Sequence, residues 1–270
     1  MTNVFTRITG LLLTALTLGN PLVAAPPTGR TPTPAAANVR LSGPEKAFVM
    51  AAFEQHVALS YAQAGLSVTG LPLDVYRRAL IGFYHLQQQG TASAPTHVLS
   101  IIDFSRSSTQ KRLWILDLAK GKLLHHTLVA HGKYTGEEFA QNFSNREGSE
   151  MSSLGFYLTG ATYQGKHGLS LKLHGVDAGY NTNALSRAVV VHGADYVSQQ
   201  FIRQHGRLGR SQGCPALPVE QTPAIIRTIK GGTVLFANGP AQAGYRSSWL
   251  SLDPALVGFA RSKGLRGQAG

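Results

Sequence analysis

The chain has 270 residues, 43% of them hydrophobic, and its 25 lysines and arginines against 13 acidic residues give a net charge of +12. This length and composition allow one or two folded domains with a sizeable core. The charge favours an anionic partner, such as an acidic cell-wall polymer, nucleic acid or anionic lipid. Since the sequence has no long basic run and no nucleic-acid-binding motif, we do not expect nucleic acid as the partner.

The N-terminus has the layout of a secretory signal peptide. The basic start MTNVFTR precedes an apolar run at residues 8–18, and small residues follow a break at 19–21. The run is too short to span a bilayer as a helix. We therefore expect residues 1–25 to be a cleaved leader, with an uncleaved anchor as the alternative. The mature protein would then be exported to the periplasm, cell wall or exterior, with no stable membrane anchor.

A linker and two helices follow the leader. Residues 26–43 are rich in Pro, Thr and Ala, which predicts a flexible tether. Apolar residues then recur at helical spacing over about 44–63 and again over about 73–89, and each run ends near a glycine. We predict a helical preface over residues 44–92 that packs on the main body.

From about residue 96 the apolar pattern changes to that of strands. The predicted strands cover 97–104, 112–118, 122–130, 154–159, 169–173, 188–191 and 233–237, and the pattern predicts a helix at 219–229. The pattern predicts a mainly β domain at residues 93–240, a sandwich or part-open barrel with flanking helices. Residues 241–270 are expected to be a C-terminal tail.

Cys214 is the only cysteine of the chain. Exported proteins ordinarily pair their cysteines in disulfides, and a lone cysteine has no internal partner. It is therefore either a small buried core residue or a nucleophile. His192, at the end of the strand 188–191, would be its base, or else a histidine of the core. The N–H groups of Gly213 and Cys214 would form an oxyanion hole, and Ser211 would orient the loop.

Other polar residues are weaker candidates for the site. Arg203, Arg207 and Arg210 would give the cysteine a positive field, or they are ordinary surface charges. His131 follows a strand and would line the cleft, or it lies in a surface turn. We expect no metal and no other cofactor, because the chain has no HExxH motif and no paired-cysteine spacing. His125 and His126 are adjacent on a strand and would point to opposite faces.

Several segments together resemble one known family. VVVHG, GRLGRSQGCPALP, IIDFSRSSTQKRLWILDL and SSLGFYLTGATYQGKHGLSLKLHGVDAGYN are similar to the L,D-transpeptidase (YkuD-type) catalytic domain, and most closely to its murein L,D-transpeptidase branch. The resemblance covers about residues 44–238. It implies an L,D-transpeptidase fold with Cys214 as the nucleophile and His192 as its base. The carbonyl of Gly193 would orient the imidazole.

The resemblance also implies a reaction. A peptidoglycan tetrapeptide stem would acylate Cys214 and release D-alanine, and a side-chain amine of a second stem would resolve the thioester to form a 3→3 cross-link. Carbapenem-type inhibitors would acylate the same cysteine. With water as the acceptor, the site would be an L,D-carboxypeptidase. A non-catalytic cell-wall-binding protein is the alternative outside the enzymes.

The sequence departs from the wider family at the cysteine. Gln212 stands where the family has histidine, and Pro215 begins a segment that replaces the family's branched residue and arginine. The interval between His192 and Cys214 is also longer. The resemblance implies that the missing arginine helps to place a substrate carboxylate, a role that Arg207 or Arg210 would take over here.

Overall fold

The structure is a computed structural model that describes residues 40–92 and 97–265. The predicted leader at 1–25 and most of the predicted linker at 26–43 lie outside the described residues. Over the part that is described, no helix combines the length and the apolar character needed to cross a membrane.

The described chain contains five α-helices and eight strands, together with short 3-10 turns. The helices are α1 (Gly43–Gln63), α2 (Leu73–Gln88), α3 (Gln199–His205), α4 (Thr222–Ile229) and α5 (Leu252–Lys263). The strands are β1 (Val98–Asp103), β2 (Leu113–Asp117), β3 (Lys122–Thr127), β4 (Gly155–Gly165), β5 (Gly168–Gly175), β6 (Val190–Gly193), β7 (Ala216–Leu217) and β8 (Val234–Asn238).

The strands form one eight-stranded sheet in the order β3-β2-β1-β8-β4-β5-β6-β7. Alternate residues of a strand face opposite sides of a sheet, and the central strands bury both sides. On β8, Phe236 faces one core and Leu235 faces the other, and Trp114 and Ile115 divide in the same way on β2. A strand that is buried on both faces is a continuous apolar run in the sequence, which explains why the positions of these strands could be predicted.

The two edges of the sheet meet, so that the barrel is nearly closed. The chain after β3 continues towards β7, where the Ala130 N–H donates to the Ala216 carbonyl at 2.9 Å. A second bridge joins Gly132 to Ser211. A small apolar cluster that includes Leu128, Ala130, Leu208 and Ala216 fills this seam. The closure fixes the segment that contains Cys214 against the start of the 132–152 connection.

The helices cover the outside of the sheet. α1 begins after Ser42, whose N–H donates to the Glu45 carboxylate at 3.2 Å, and it buries Val49, Phe53 and Val57. The Phe53 ring meets the Phe259 ring of α5 edge to face at a centroid distance of 5.4 Å. These helices and α2 share one apolar core with the outer face of the sheet.

The mainly β fold with flanking helices, predicted from the sequence, is confirmed. Two elements were not predicted. β7 has only 2 residues, too few for an alternating pattern to be recognised. The other is α5, which lies within the expected C-terminal tail at 241–270 and yet buries Leu256, Phe259 and Ala260 in the core.

Candidate active site

Strands β6 and β7 bring His192 and Cys214 to the same edge of the sheet. The two strands are parallel, with His192 paired to Ala216 and Gly193 to Leu217. Cys214 lies two residues before Ala216 and is therefore level with Val190, whose N–H points at the Cys214 Sγ at 3.4 Å. Since Val190 and His192 are two residues apart on one strand, their side chains share a face.

A hydrogen bond to Gly193 defines the tautomer of the His192 ring. The ring is 3% exposed, and its Nδ1 lies 2.9 Å from the Gly193 carbonyl oxygen. A carbonyl only accepts, so Nδ1 carries the proton and Nε2 presents a lone pair. Burial lowers the pKa of His192, while the Gly193 carbonyl opposes that shift. The imidazole is therefore neutral at pH 7 and able to accept a proton through Nε2.

The thiol of Cys214 is in a half-buried position. Burial raises its pKa, and the Val190 N–H and the charges of Arg187 and Lys166 partly offset this rise. Because the pKa of the cysteine is raised and that of the histidine is lowered, the resting pair is a neutral thiol and a neutral imidazole. Within the described part of the chain, no direct hydrogen bond joins the Cys214 Sγ to His192.

The thiol hydrogen has a different acceptor in this state. The Cys214 S–H donates to the Ala188 carbonyl across 3.6 Å. Ala188 has a φ of 54°, a left-handed conformation that costs a non-glycine residue roughly 1–2 kcal/mol. A strained residue therefore turns its carbonyl towards the candidate nucleophile at the entry to β6.

Ser211 closes the turn that presents Cys214. Its Oγ donates to the Cys214 carbonyl at 2.6 Å and accepts from the Gly213 N–H at 3.0 Å. This arrangement fits the predicted orienting role of Ser211. It also uses the Gly213 N–H, which was expected to face an oxyanion. Among the described residues, the Cys214 N–H has no acceptor, so one backbone donor of the expected pair is available instead of two.

Arg187 lies beside this turn and was not predicted as a site residue. Gly213 has a φ of 115°, and a Cβ added there would lie 2.8 Å from the Met151 carbonyl oxygen and 3.3 Å from the Arg187 Nη2. The guanidinium therefore packs directly against the residue before Cys214. No local sequence signal distinguishes Arg187 from the other arginines, because its position depends on contacts with the distant segment 144–153.

Arg207 and Arg210 form ion pairs away from the cysteine. Arg207 Nε lies 2.9 Å and Arg210 Nη1 2.5 Å from the carboxylate oxygens of Glu137. Arg210 and then Arg207 hold the pKa of the exposed Glu137 below its usual value. In the described contacts, neither guanidinium touches Cys214. Both guanidinium groups already contact the Glu137 carboxylate, which offsets part of their charge and does not favour the predicted role of binding a substrate carboxylate.

His131 is an interior residue rather than part of the cleft surface. It is 1% exposed, its Nδ1 accepts from Arg112 Nη2 at 2.8 Å, and its Nε2–H donates to the Gly136 carbonyl at 3.2 Å. Burial, and then the charge of Arg112, lowers its pKa to about 4. With both ring nitrogens occupied inside the protein, His131 does not fit the predicted substrate contact, and its role is structural.

The turn between β4 and β5 lies over the His192 ring. The His167 ring stacks on the His192 ring with centroids 4.5 Å apart and planes at 25°. His167 and its neighbour Lys166 are exposed, and both lower the pKa of His192. Within the described residues, no group of three or more His, Cys, Asp or Glu side chains is suited to a metal ion.

Comparisons with solved structures find similar proteins at low identity and low TM-score. One is an L,D-transpeptidase from Mycobacterium smegmatis, with 12% identity, a TM-score of 0.34, and coverage of 53% of this chain and 59% of that chain. Another is L,D-transpeptidase 3 from Mycobacterium tuberculosis in complex with a faropenem-derived adduct, with 12% identity, a TM-score of 0.32, and coverage of 53% and 60%.

A third solved structure is the helical cell shape determining protein Pgp2 from Campylobacter jejuni, with 13% identity, a TM-score of 0.36, and coverage of 72% of this chain and 64% of that chain. The match spans less than two thirds of the length of each of these three proteins. No match is found among curated proteins.

A family model gives the most specific comparison. The model described as the L,D-transpeptidase catalytic domain matches residues 68–238, which is more than half of the chain. The matched region includes α2, the sheet, and both His192 and Cys214. The chain therefore belongs to the L,D-transpeptidase catalytic domain family.

Proposed function

We propose that this chain is an exported L,D-transpeptidase that cross-links peptidoglycan through an acyl-enzyme at Cys214. The observation that supports the proposal most is the pairing of β6 with β7, which sets a lone cysteine beside a neutral histidine whose Nε2 is free to accept a proton. The net charge of +12 suits an anionic wall polymer.

Acylation begins with a tetrapeptide stem in the site. His192 Nε2 accepts the thiol proton as Cys214 Sγ attacks the carbonyl carbon between meso-diaminopimelate and the terminal D-alanine. The Cys214 N–H donates to the oxyanion that forms. His192 then passes the proton to the leaving amine, the C–N bond breaks, and D-alanine departs from the thioester.

Deacylation repeats these transfers in reverse. The side-chain amine of a second stem attacks the thioester carbonyl and gives its proton to His192 as the C–S bond breaks. The Cys214 thiolate recovers a proton from His192, and the product is a 3→3 cross-linked dimer. With water as the nucleophile, the same thioester gives a tripeptide.

Proton transfer is essential to this scheme because the resting thiol is not ionised. Burial raises the pKa of Cys214, so an ion pair with His192 does not exist in advance. A positioned general base contributes about 10²- to 10⁴-fold to such a step. The turn that Ser211 closes keeps Cys214 in place for the attack.

The test is incubation of the purified protein with disaccharide tetrapeptide, followed by mass analysis of the products. Dimers that have lost one D-alanine support the proposal. Tripeptide and free D-alanine without dimers replace it with an L,D-carboxypeptidase. Binding without turnover, unchanged in a Cys214→Ala variant, replaces it with a wall-binding protein.

Two further measurements address the other parts of the proposal. A carbapenem is expected to add its mass to the intact protein once, and not to the Cys214→Ala variant. Expression of the full chain with N-terminal analysis of the mature product tests export, and a protein that keeps residues 1–25 in the cell interior contradicts that part.

A further inference from the structure

Arg187 is a half-buried cation whose hydrogen bonds all go to neutral acceptors. Its Nη1 donates to the Ser144 carbonyl at 2.6 Å and to Ser153 Oγ at 3.2 Å. Its Nη2 donates to the Met151 carbonyl at 2.6 Å and to Ser149 Oγ at 3.1 Å. These contacts hold the guanidinium rigidly, but none of them supplies a negative charge.

No carboxylate of the described residues forms an ion pair with Arg187, in contrast to Arg207 and Arg210 on Glu137. A cation that is withdrawn from water without a counter-ion is costly to keep. Such a cost is consistent with an anion that forms only during function. The acidic groups with which Arg187 interacts favourably are the Tyr157 phenol and the Cys214 thiol.

Two contacts bring Arg187 close to Cys214. Its Nη2 packs against Gly213, the residue before the cysteine, at 3.3 Å from the position of a Cβ. Its own chain neighbour, Ala188, accepts the hydrogen bond from the thiol. The guanidinium is half-buried, so solvent screens its field at the sulfur less than it would screen that of an exposed side chain.

The other titratable groups around the thiol are less suited than Arg187 to place a positive charge beside the sulfur. His192 is neutral at pH 7, and burial raises the pKa of Tyr196 to about 12, so its phenol is neutral as well. Lys166 carries a positive charge at the exposed β4–β5 turn beside His167, where water and salt screen it. Arg187 is thus the fixed, partly desolvated cation of this set.

We propose that Arg187 is the charge partner of Cys214, a positioning residue that holds Gly213 under the thiol and stabilises the thiolate as it forms. The proposal rests on the proposed role of Cys214 as the nucleophile.

The test measures the rate of Cys214 alkylation by iodoacetamide as a function of pH in the full chain. The variant Arg187→Gln keeps a hydrogen-bonding side chain but removes the charge, and Arg187→Lys keeps the charge but loses the planar fork. Arg203→Gln, at an exposed arginine of α3, is the control with the same change in net charge.

The expected result is a shift of the alkylation midpoint to higher pH by about one unit in Arg187→Gln, which is about a tenfold slower reaction at neutral pH with an unchanged plateau at high pH. Arg187→Lys should keep its midpoint within about half a unit of the parent, and Arg203→Gln should not shift. Equal shifts in Arg187→Gln and Arg187→Lys, or no shift in either, would overturn the proposal.

Folding is checked by thermal unfolding, because Arg187 also anchors the 144–153 segment. If Arg187→Gln does not fold, the alkylation midpoint of Arg187→Lys alone tests the proposal. A midpoint close to that of the parent supports the charge role, and an upward shift of about one unit or more contradicts it. Alkylation needs no peptidoglycan, so this result can be read whether or not the protein cross-links stem peptides. A failed cross-linking assay with an intact Arg187 effect would count against the proposed function only.

Discussion

The proposed pair of Cys214 and His192 depends on single hydrogen bonds. The Gly193 carbonyl fixes the proton of His192 on Nδ1, and the buried ring favours its neutral form. The thiol of Cys214 is likewise held neutral by burial. Two neutral partners at one strand edge suit a mechanism in which the proton moves during attack, rather than one that begins from an ion pair.

The substitution His192→Ala tests this pairing. We expect the rate of carbapenem acylation at pH 7 to fall by about 10²- to 10⁴-fold, because the base is lost. The deficit should shrink at high pH, where hydroxide ionises the thiol directly. In the parent protein, the lowered pKa of His192 should place the midpoint of the acidic fall in rate below pH 6.5, the ordinary value for histidine. Stopped-flow acylation from pH 5 to 10 measures both.

His205→Ala is the matched control for that experiment, since His205 is exposed at the end of α3. It should keep the parental profile. A parental rate for His192→Ala at pH 7, with Cys214 still acylated, would exclude His192 as the base.

At the scale of elements, the turn before β7 depends on a glycine. Gly213 has a φ of 115°, and a Cβ there would meet the Met151 carbonyl at 2.8 Å and the Arg187 guanidinium at 3.3 Å. The turn is further tied by Ser152, whose Oγ donates to the Gly213 carbonyl at 3.2 Å and accepts from the Gly132 N–H. The cysteine is therefore positioned by three separate segments of the chain.

Gly213→Ala should lower the free energy of unfolding by roughly 2–3 kcal/mol, the sum of backbone strain and the close contacts. It should also slow the alkylation of Cys214 as the turn shifts. Gly148→Ala is the control: Gly148 has a φ of 69°, but a Cβ there meets nothing within 4 Å. It should cost about 1 kcal/mol from strain alone. Urea unfolding of both variants gives the comparison, and equal losses would show that the contacts at Gly213 are unimportant.

At the scale of the whole molecule, an acid-sensitive feature is a buried histidine beside the seam where the barrel closes. His131 lies between Arg112 and the Gly136 carbonyl, next to the seam at Gly132 and Ser211. Its pKa of about 4 means that the folded state resists protonation. An unfolded histidine has a pKa of about 6.5, so the unfolded state binds this proton more readily between pH 6.5 and 4.

Stability should therefore be complete above pH 6.5 and be lost as the pH falls towards 4, by about 3 kcal/mol from His131 on an order-of-magnitude basis. The variant His131→Gln removes the titration, keeps a donor and an acceptor, and should flatten this dependence at some cost to stability at pH 7. Urea unfolding at pH 4, 5, 6 and 7 measures the slopes. An unchanged slope in the variant would assign the acid sensitivity to other histidines, such as His56.

Elements whose pattern repeats over many contiguous residues could be predicted from the sequence. α1 and α2 have apolar side chains at helical spacing, and β1, β2 and β8 are apolar runs because both of their faces are buried. The sequence also indicated Cys214 and His192, since a lone cysteine and a histidine at the end of an apolar strand are visible in the linear pattern.

The distant residues that surround the cysteine could not be predicted from the sequence, because they meet it only in the folded chain. The two-residue strand β7 exists because the closing barrel pairs it with β6, and α5 is helical because the core of α1 and α2 receives Phe259. Tertiary contacts also bury His131 in the interior and bring Arg187 against Gly213. They place Arg207 and Arg210 beside the Glu137 carboxylate. Local propensity acts within a few residues, whereas these placements depend on strand order and on segments that meet only after the barrel has closed.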